Sequence, residues 1–263
     1  QIDDEIGRLV KFLDERGQMD HTMIIFTSDH GDYLGDHWLG EKDLFHEPSV
    51  RIPFIVCDPN KEADKTRGTS SNELVEAIDV VPTILEAVGG YPQPHILDGR
   101  ALQPLLYGEK PDDWRKYVIS EYDYSFMNAR IDLDMPSREC WLRMVFDGRF
   151  KYIKSDGFRP MLFDLVSDPN EFNDLGDNPA FAKERTRLDQ MLFEWALKPR
   201  QRVTITDGML ENTDIQRNIT EAGILIGYYN KEELAKVRKK WESKPIFAAF
   251  NPAWNKMQNK LKK

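Results

Sequence analysis

The chain has 263 residues, 36 Lys and Arg against 45 Asp and Glu, and a formal net charge of -9. That acidic balance argues against nonspecific nucleic-acid binding, which depends on basic patches, and an apolar share of 40% is too high for global disorder. No apolar run approaches the ~20 residues of a membrane span, and two cysteines, Cys57 and Cys140, are too few for a disulfide framework.

The chain opens inside a pattern rather than before one. Ile2, Ile6, Leu9, Val10 and Leu13 follow a helical stripe that ends at Gly17, a residue suited to the left-handed position after a helix. Gln1 is not a natural first residue and no signal peptide is visible, so the reading expects further chain upstream. The sparse cysteines point to a cytoplasmic location. Met23-Ile24-Ile25-Phe26 reads as a short buried strand, and Ile52-Pro53-Phe54-Ile55-Val56 as a second. Apolar runs without alternation, the first of them following a helix, suggest a parallel sheet covered on both faces. Asp79 before Val80-Val81-Pro82 reads as a helix N-cap, and Gly89-Gly90 end that helix. Pro92, Pro94, Gly99 and Pro104 then mark a surface connection.

From about Tyr117 short strand candidates follow one another, at 117–122, 141–146, 150–153 and 161–165. Asp147-Gly148 joins the second to the third as a hairpin signal. Leu188, Met191, Leu192 and Trp195 share one face of a later helix, so this region reads as a small antiparallel sheet with a helix packed on it. A basic helix around Lys231–Trp241 carries Leu234, Val237 and Trp241 on one stripe. It suggests an extension that wraps a neighbouring subunit, hence a homo-oligomer, with packing on its own domain as the alternative. The division expected is 1–115, 116–198 and 199–263.

The densest polar cluster runs from Asp29-His30-Gly31-Asp32 to Lys42, immediately after the first strand. In open α/β sheets, ligands bind beyond the carboxyl ends of strands. A carboxylate and an imidazole turned to one side at such a break suit one divalent cation, and a lysine brought back over it adds a second positive charge. Together they would stabilise the charge of a phosphoryl or sulfuryl transition state. Taken singly, each residue also has an ordinary structural reading, with Asp29 as a cap, His30 as a turn histidine and Lys42 as a solvated lysine.

The pattern Ser28-Asp29-His30-Gly31, then Lys42, then Arg51-Ile52-Pro53 resembles the second metal-binding block of sulfatases. Asp79-Val80-Val81-Pro82-Thr83-Ile84-Leu85, Asp98-Gly99-Arg100 and Arg149-Phe150-Lys151-Tyr152-Ile153 continue the resemblance in order. Leu162-Phe163-Asp164-Leu165, Asp168-Pro169-Asn170-Glu171 and Asp174-Leu175 complete it. Gly35-Asp36-His37 and Arg159-Pro160-Met161-Leu162-Phe163-Asp164-Leu165 look most like the phosphonate monoester hydrolases of that superfamily. The resemblance implies an alkaline-phosphatase-like α/β core with a smaller C-terminal antiparallel subdomain, of which this chain is the C-terminal half. It also implies hydrolysis of small phosphonate, phosphate or sulfate esters. One divalent ion, Mn or Ca, is implied, with Asp29 and His30 as ligands. Lys42 is implied as the ligand of the transferred group, and His37 is a candidate for supporting a metal ligand or serving the leaving group, with a structural role as the alternative.

In that family the nucleophile is a formylglycine made within Cys-x-Pro-x-Arg, and it belongs to the N-terminal half. Cys57-Asp58-Pro59-Asn60-Lys61 imitates the motif, but it has Lys in place of the bidentate Arg and follows the metal block. Cys57 and Cys140 therefore read as small buried hydrophobes. Three rivals stay open. A two-metal phosphomutase would use His46 as a third ligand, a plain sulfatase would act on choline or aryl sulfate, and a non-catalytic half would hold no site of its own. The chain by itself is expected to be inactive.

Overall fold

The computed structural model describes residues 1–155 and 158–198. The expected helix at Lys231–Trp241 and the oligomerising extension lie outside these residues. Helix α1 (Ile2–Glu15) ends as its glycine requires. Gly17 sits at φ 63° and donates to Asp14, while the Gln18 N–H reaches back to Leu13, which satisfies two carbonyls that the helix end would otherwise leave open. None of the residues of α1 is buried, and Ile2, Leu9 and Phe12 are exposed. Among the described residues no helix is long and apolar enough to cross a membrane.

Strands β1 (Ile24–Thr27) and β2 (Phe54–Cys57) fall where the apolar runs predict, but they pair antiparallel, with Ile25 opposite Val56. The parallel expectation fails because an unalternating run reports burial on two faces, not strand direction. The burial itself is only partial here, with Ile55 61% exposed. Between the two strands lies the short helix α2 (Glu47–Val50), entered through Pro48 in its first turn. Helix α3 (Val80–Ala87) is preceded by a 3-10 turn at Ala77–Asp79, so Asp79 already has helical dihedrals. Its carboxylate therefore does not cap α3. It accepts from the Glu76 N–H at 2.8 Å and the Arg100 N–H at 2.8 Å, and it pairs with the Arg115 guanidinium. A fully buried carboxylate with these partners ties the Asp79 block to the Arg100 block. The short helix α4 (Gln103–Leu106) follows, where the sequence suggests only a surface connection.

The second sheet matches its expectation closely. It has the order β3 (Val118–Asp123), β4 (Trp141–Phe146), β5 (Phe150–Ser155), β6 (Met161–Asp164), antiparallel throughout. The short helix α5 (Asn128–Asp132) lies in the β3–β4 connection. Helix α6 (Ala182–Leu197) packs on one face, where Leu188 and Leu192 meet Val145, Phe150, Tyr152 and Leu162. On the opposite face Phe45 and Val50 pack with Met144, Ile153 and Phe163. Strand alternation explains the split. Phe150 and Tyr152 turn to α6, while Lys151 and Ile153 turn to the segment that contains α2. The sheet is thus the floor under the polar loop between β1 and β2.

Candidate active-site loop

β1 delivers its last residue, Thr27, into Ser28-Asp29-His30. The Ser28 hydroxyl donates to the His30 carbonyl at 2.7 Å, which folds the break tightly. The Asp29 side chain is exposed, and its Oδ2 lies 3.4 Å from His30 Nε2. The His30 Nδ1–H donates to the Gly31 carbonyl at 2.7 Å. That bond anchors the ring through Nδ1 and turns Nε2 toward the carboxylate. Hydrogen bonds from backbone N–H groups, its own first, hold the Asp29 carboxyl below the usual carboxylate range.

The next residue is fixed by close approach. A Cβ on Gly31 would stand 1.9 Å from the Pro48 carbonyl oxygen, and the Gly31 N–H donates to the Ser49 carbonyl at 2.7 Å. Only glycine lets the strand end touch α2. Beyond it the loop returns on itself, with the Tyr33 N–H on the Glu41 carbonyl at 2.8 Å. Lys42 is exposed, its ammonium has no ion-pair partner among the described residues, and its carbonyl accepts from the buried Ser49 hydroxyl. Several residues that are not glycine, Leu34, His37, Trp38, Glu41 and Leu44 among them, hold positive φ. Such a backbone persists where surrounding contacts over-determine it.

His37 is not free in that loop. Its ring stacks on His46 with centroids 4.1 Å apart, and it lies 5.4 Å from the Phe172 ring. His46 is nearly buried, its Nδ1 is 2.8 Å from the Tyr33 hydroxyl, and its ring meets Phe163 of β6 edge-on. Burial, with His37 and Lys151 adding to it, lowers the His46 pKa to about 4, so the ring is neutral at ordinary pH. Burial likewise raises the Tyr33 phenol to about 12.

Beneath these rings lies an ion cluster to which the sequence reading gave no role. Lys151 is 1% exposed and reaches Glu47 at 2.8 Å and Glu171 at 2.7 Å. Glu171 also accepts the Glu47 N–H at 2.6 Å. The one available signal was Lys151 itself, a lysine between Phe150 and Tyr152 in a strand, since lysine is almost never fully buried unless paired.

The description "N-sulphoglucosamine sulphohydrolase, C-terminal" belongs to the family model that matches residues 35–198. The chain is a member of the sulfatase family. It is 38% identical over 200 residues to the multifunctional alkaline phosphatase superfamily protein PehA of Trinickia caryophylli, which covers 75% of this chain and 38% of the relative. It is 31% identical over 195 residues to the N-acetylglucosamine-6-O-sulfatase of Bacteroides thetaiotaomicron, covering 73% and 33% respectively. The crystal structure of the phosphonate monoester hydrolase of Agrobacterium radiobacter superposes with a TM-score of 0.69 at 32% identity, over 74% of this chain and 39% of that one. This sulfatase-family chain therefore spans a third to two fifths of the length of these relatives. It carries their alkaline-phosphatase-like α/β fold.

The donors of this sulfatase-family chain fit a shared ion in part. Asp29 Oδ2 and His30 Nε2, 3.4 Å apart, can both bind one cation at metal–ligand distances of about 2.1 Å. Among the described residues no group of three or more His, Cys, Asp or Glu side chains is placed to hold a metal. His46 thus does not join Asp29 and His30 as the phosphomutase reading requires, and the pair is an incomplete ligand set. The two cysteines of the sulfatase-family chain differ in burial. Cys140 is buried as expected, whereas Cys57 is half-buried at the end of β2, 3.6 Å from an Arg67 guanidinium nitrogen.

Proposed function

We propose that this chain is the metal-and-lysine portion of a hydrolase acting on phosphonate monoesters and phosphodiesters. The observation that carries the reading is the Asp29–His30 pair beyond the end of β1, its imidazole anchored through Nδ1 so that Nε2 faces the carboxylate. Asp29 and His30 would hold one divalent ion, Mn or Ca, with the remaining ligands supplied by chain beyond these residues. Bound there, such an ion polarises the ester and offsets the charge that develops on its oxygens. Lys42 places an unpaired ammonium over the transferred group, a compact charge that binds its non-bridging oxygens. His37 serves the leaving group, its ring orientation held by the stack on His46. The nucleophile is the family's formylglycine, from a Cys-x-Pro-x-Arg motif that these 263 residues do not contain.

The phosphorus reading is supported by the likeness to the phosphonate monoester hydrolase and by Gly35-Asp36-His37 with Arg159–Leu165. A sulfate-ester reading is favoured by the family model and by the N-acetylglucosamine-6-O-sulfatase relative. The test is kcat/KM of the full-length protein on an aryl phosphonate monoester and an aryl sulfate, with and without Lys42→Ala. The phosphonate should be the better substrate, and Lys42→Ala should lower both rates by about 10²–10³-fold. A preference for the sulfate would favour the second reading, and an unchanged rate in Lys42→Ala would sink the role of Lys42.

A further inference from the structure

One buried residue touches both halves of the proposed site. The Ser49 carbonyl accepts the Gly31 N–H at 2.7 Å, next to the ligand His30, and its hydroxyl donates to the carbonyl of Lys42. Ser49 is 4% exposed, and its own N–H is satisfied by the His46 carbonyl at 2.9 Å. We propose that Ser49 is a positioning residue that sets the Lys42 ammonium relative to the metal ligands, on a turn locked to the C-terminal sheet by Lys151. The inference rests on the role of Lys42 proposed above.

Three observations support it. First, the backbone around Lys42 is one that the sequence does not favour locally, with Glu41 at φ 58° and Leu44 at φ 83°. It needs an outside anchor, and the Ser49 hydroxyl is the hydrogen-bond donor the structure gives the Lys42 carbonyl. Second, α2 cannot drift. Glu47, its first residue, is tied by side chain to Lys151 and by N–H to Glu171, both on the C-terminal subdomain. Third, the other face of the same turn is sterically fitted, since Gly31 sits against the Pro48 carbonyl with no room for a Cβ. Metal ligand and lysine therefore share one reference point, and orientation at the ångström level is worth large factors in rate.

The experiment is a double-mutant cycle in the full-length protein, comparing wild type, Ser49→Ala, Lys42→Ala and the double variant. Readouts are kcat/KM on the better substrate, metal content and Tm. Ser49→Ala should lower kcat/KM about tenfold with metal content unchanged, because its carbonyl still holds Gly31. In the Lys42→Ala background the same change should cost less than about twofold, since a positioning residue has nothing left to position. Ser49→Cys, similar in size with a weaker donor, should fall between serine and alanine, and it serves also if the alanine variant does not fold. Equal effects of the Ser49 substitution in both backgrounds, or a wild-type rate in Ser49→Ala and Ser49→Cys, would overturn the inference. Should Lys42→Ala itself leave turnover intact, the functional reading fails, which is a separate outcome of the same four proteins.

Discussion

At the scale of single residues the clearest electrostatic consequence belongs to His46. Burial first, then His37 and Lys151, lower its pKa from 6.5 to about 4. Between those values the unfolded chain binds a proton that the native chain refuses, so the native state loses stability as pH falls through that window. Above about pH 6.5 the histidine is neutral in both states and the effect vanishes. Tm of the wild type should therefore fall more steeply from pH 6.5 to 4 than Tm of His46→Gln, which has nothing to titrate there. Parallel profiles would contradict the assignment. The residue scale also shows what a sequence conveys and what it does not. Asp29 and His30 stand out as candidates because they are adjacent and follow an apolar run. Lys42 becomes a candidate only with the family pattern around it. The Lys151–Glu47 pair is illegible because its partners lie 104 positions apart, and no local spacing encodes that contact. Ser49 looks like any small polar residue until its two bonds are seen.

Among the elements, the contact between the end of β1 and α2 has the least tolerance. Any side chain at Gly31 meets the Pro48 carbonyl oxygen and carbon, which are backbone and cannot rotate aside. Gly31→Ala must push the two elements apart or break the Gly31–Ser49 hydrogen bond. A cost of about 1–3 kcal/mol is expected from such overpacking, read as a lowered Tm, with metal loss because His30 is the neighbouring residue. An alanine variant with native Tm and metal content would show that this contact does not hold the site. Elements themselves were mostly legible. The stripe of α1, the β3–β6 strands and the α6 face follow from periodicity and turn residues, which are local properties. The antiparallel pairing of β1 with β2 was not, because direction depends on the path of residues 28–53 between them. The capping role of Asp79 was misplaced for a related reason. The 3-10 turn before α3 rotates its carboxylate back toward Glu76 and Arg115.

For the whole molecule, the C-terminal sheet is a platform buried on both faces, with α6 below and the candidate site loop above. The loop is joined to it by an apolar patch, an edge-on ring contact and a buried ion cluster. Breaking such a cluster by removing one partner is far more costly than its net contribution to folding. Removing Lys151 alone would leave the Glu47 and Glu171 carboxylates without their shared cation beneath the loop. What the platform presents is the Asp29–His30 pair proposed to hold the metal and the lysine proposed to bind the transferred group, in a chain that spans a third to two fifths of the sulfatase-family relatives compared. The account stands or falls on that ligand pair. The measurement that tests it most directly is the metal content of the purified full-length protein and of its Asp29→Asn variant, by elemental mass spectrometry. The account predicts about one divalent ion per chain in the wild type and a marked loss in the variant, because an amide is a weaker ligand than a carboxylate. Equal metal content in the two proteins would contradict it.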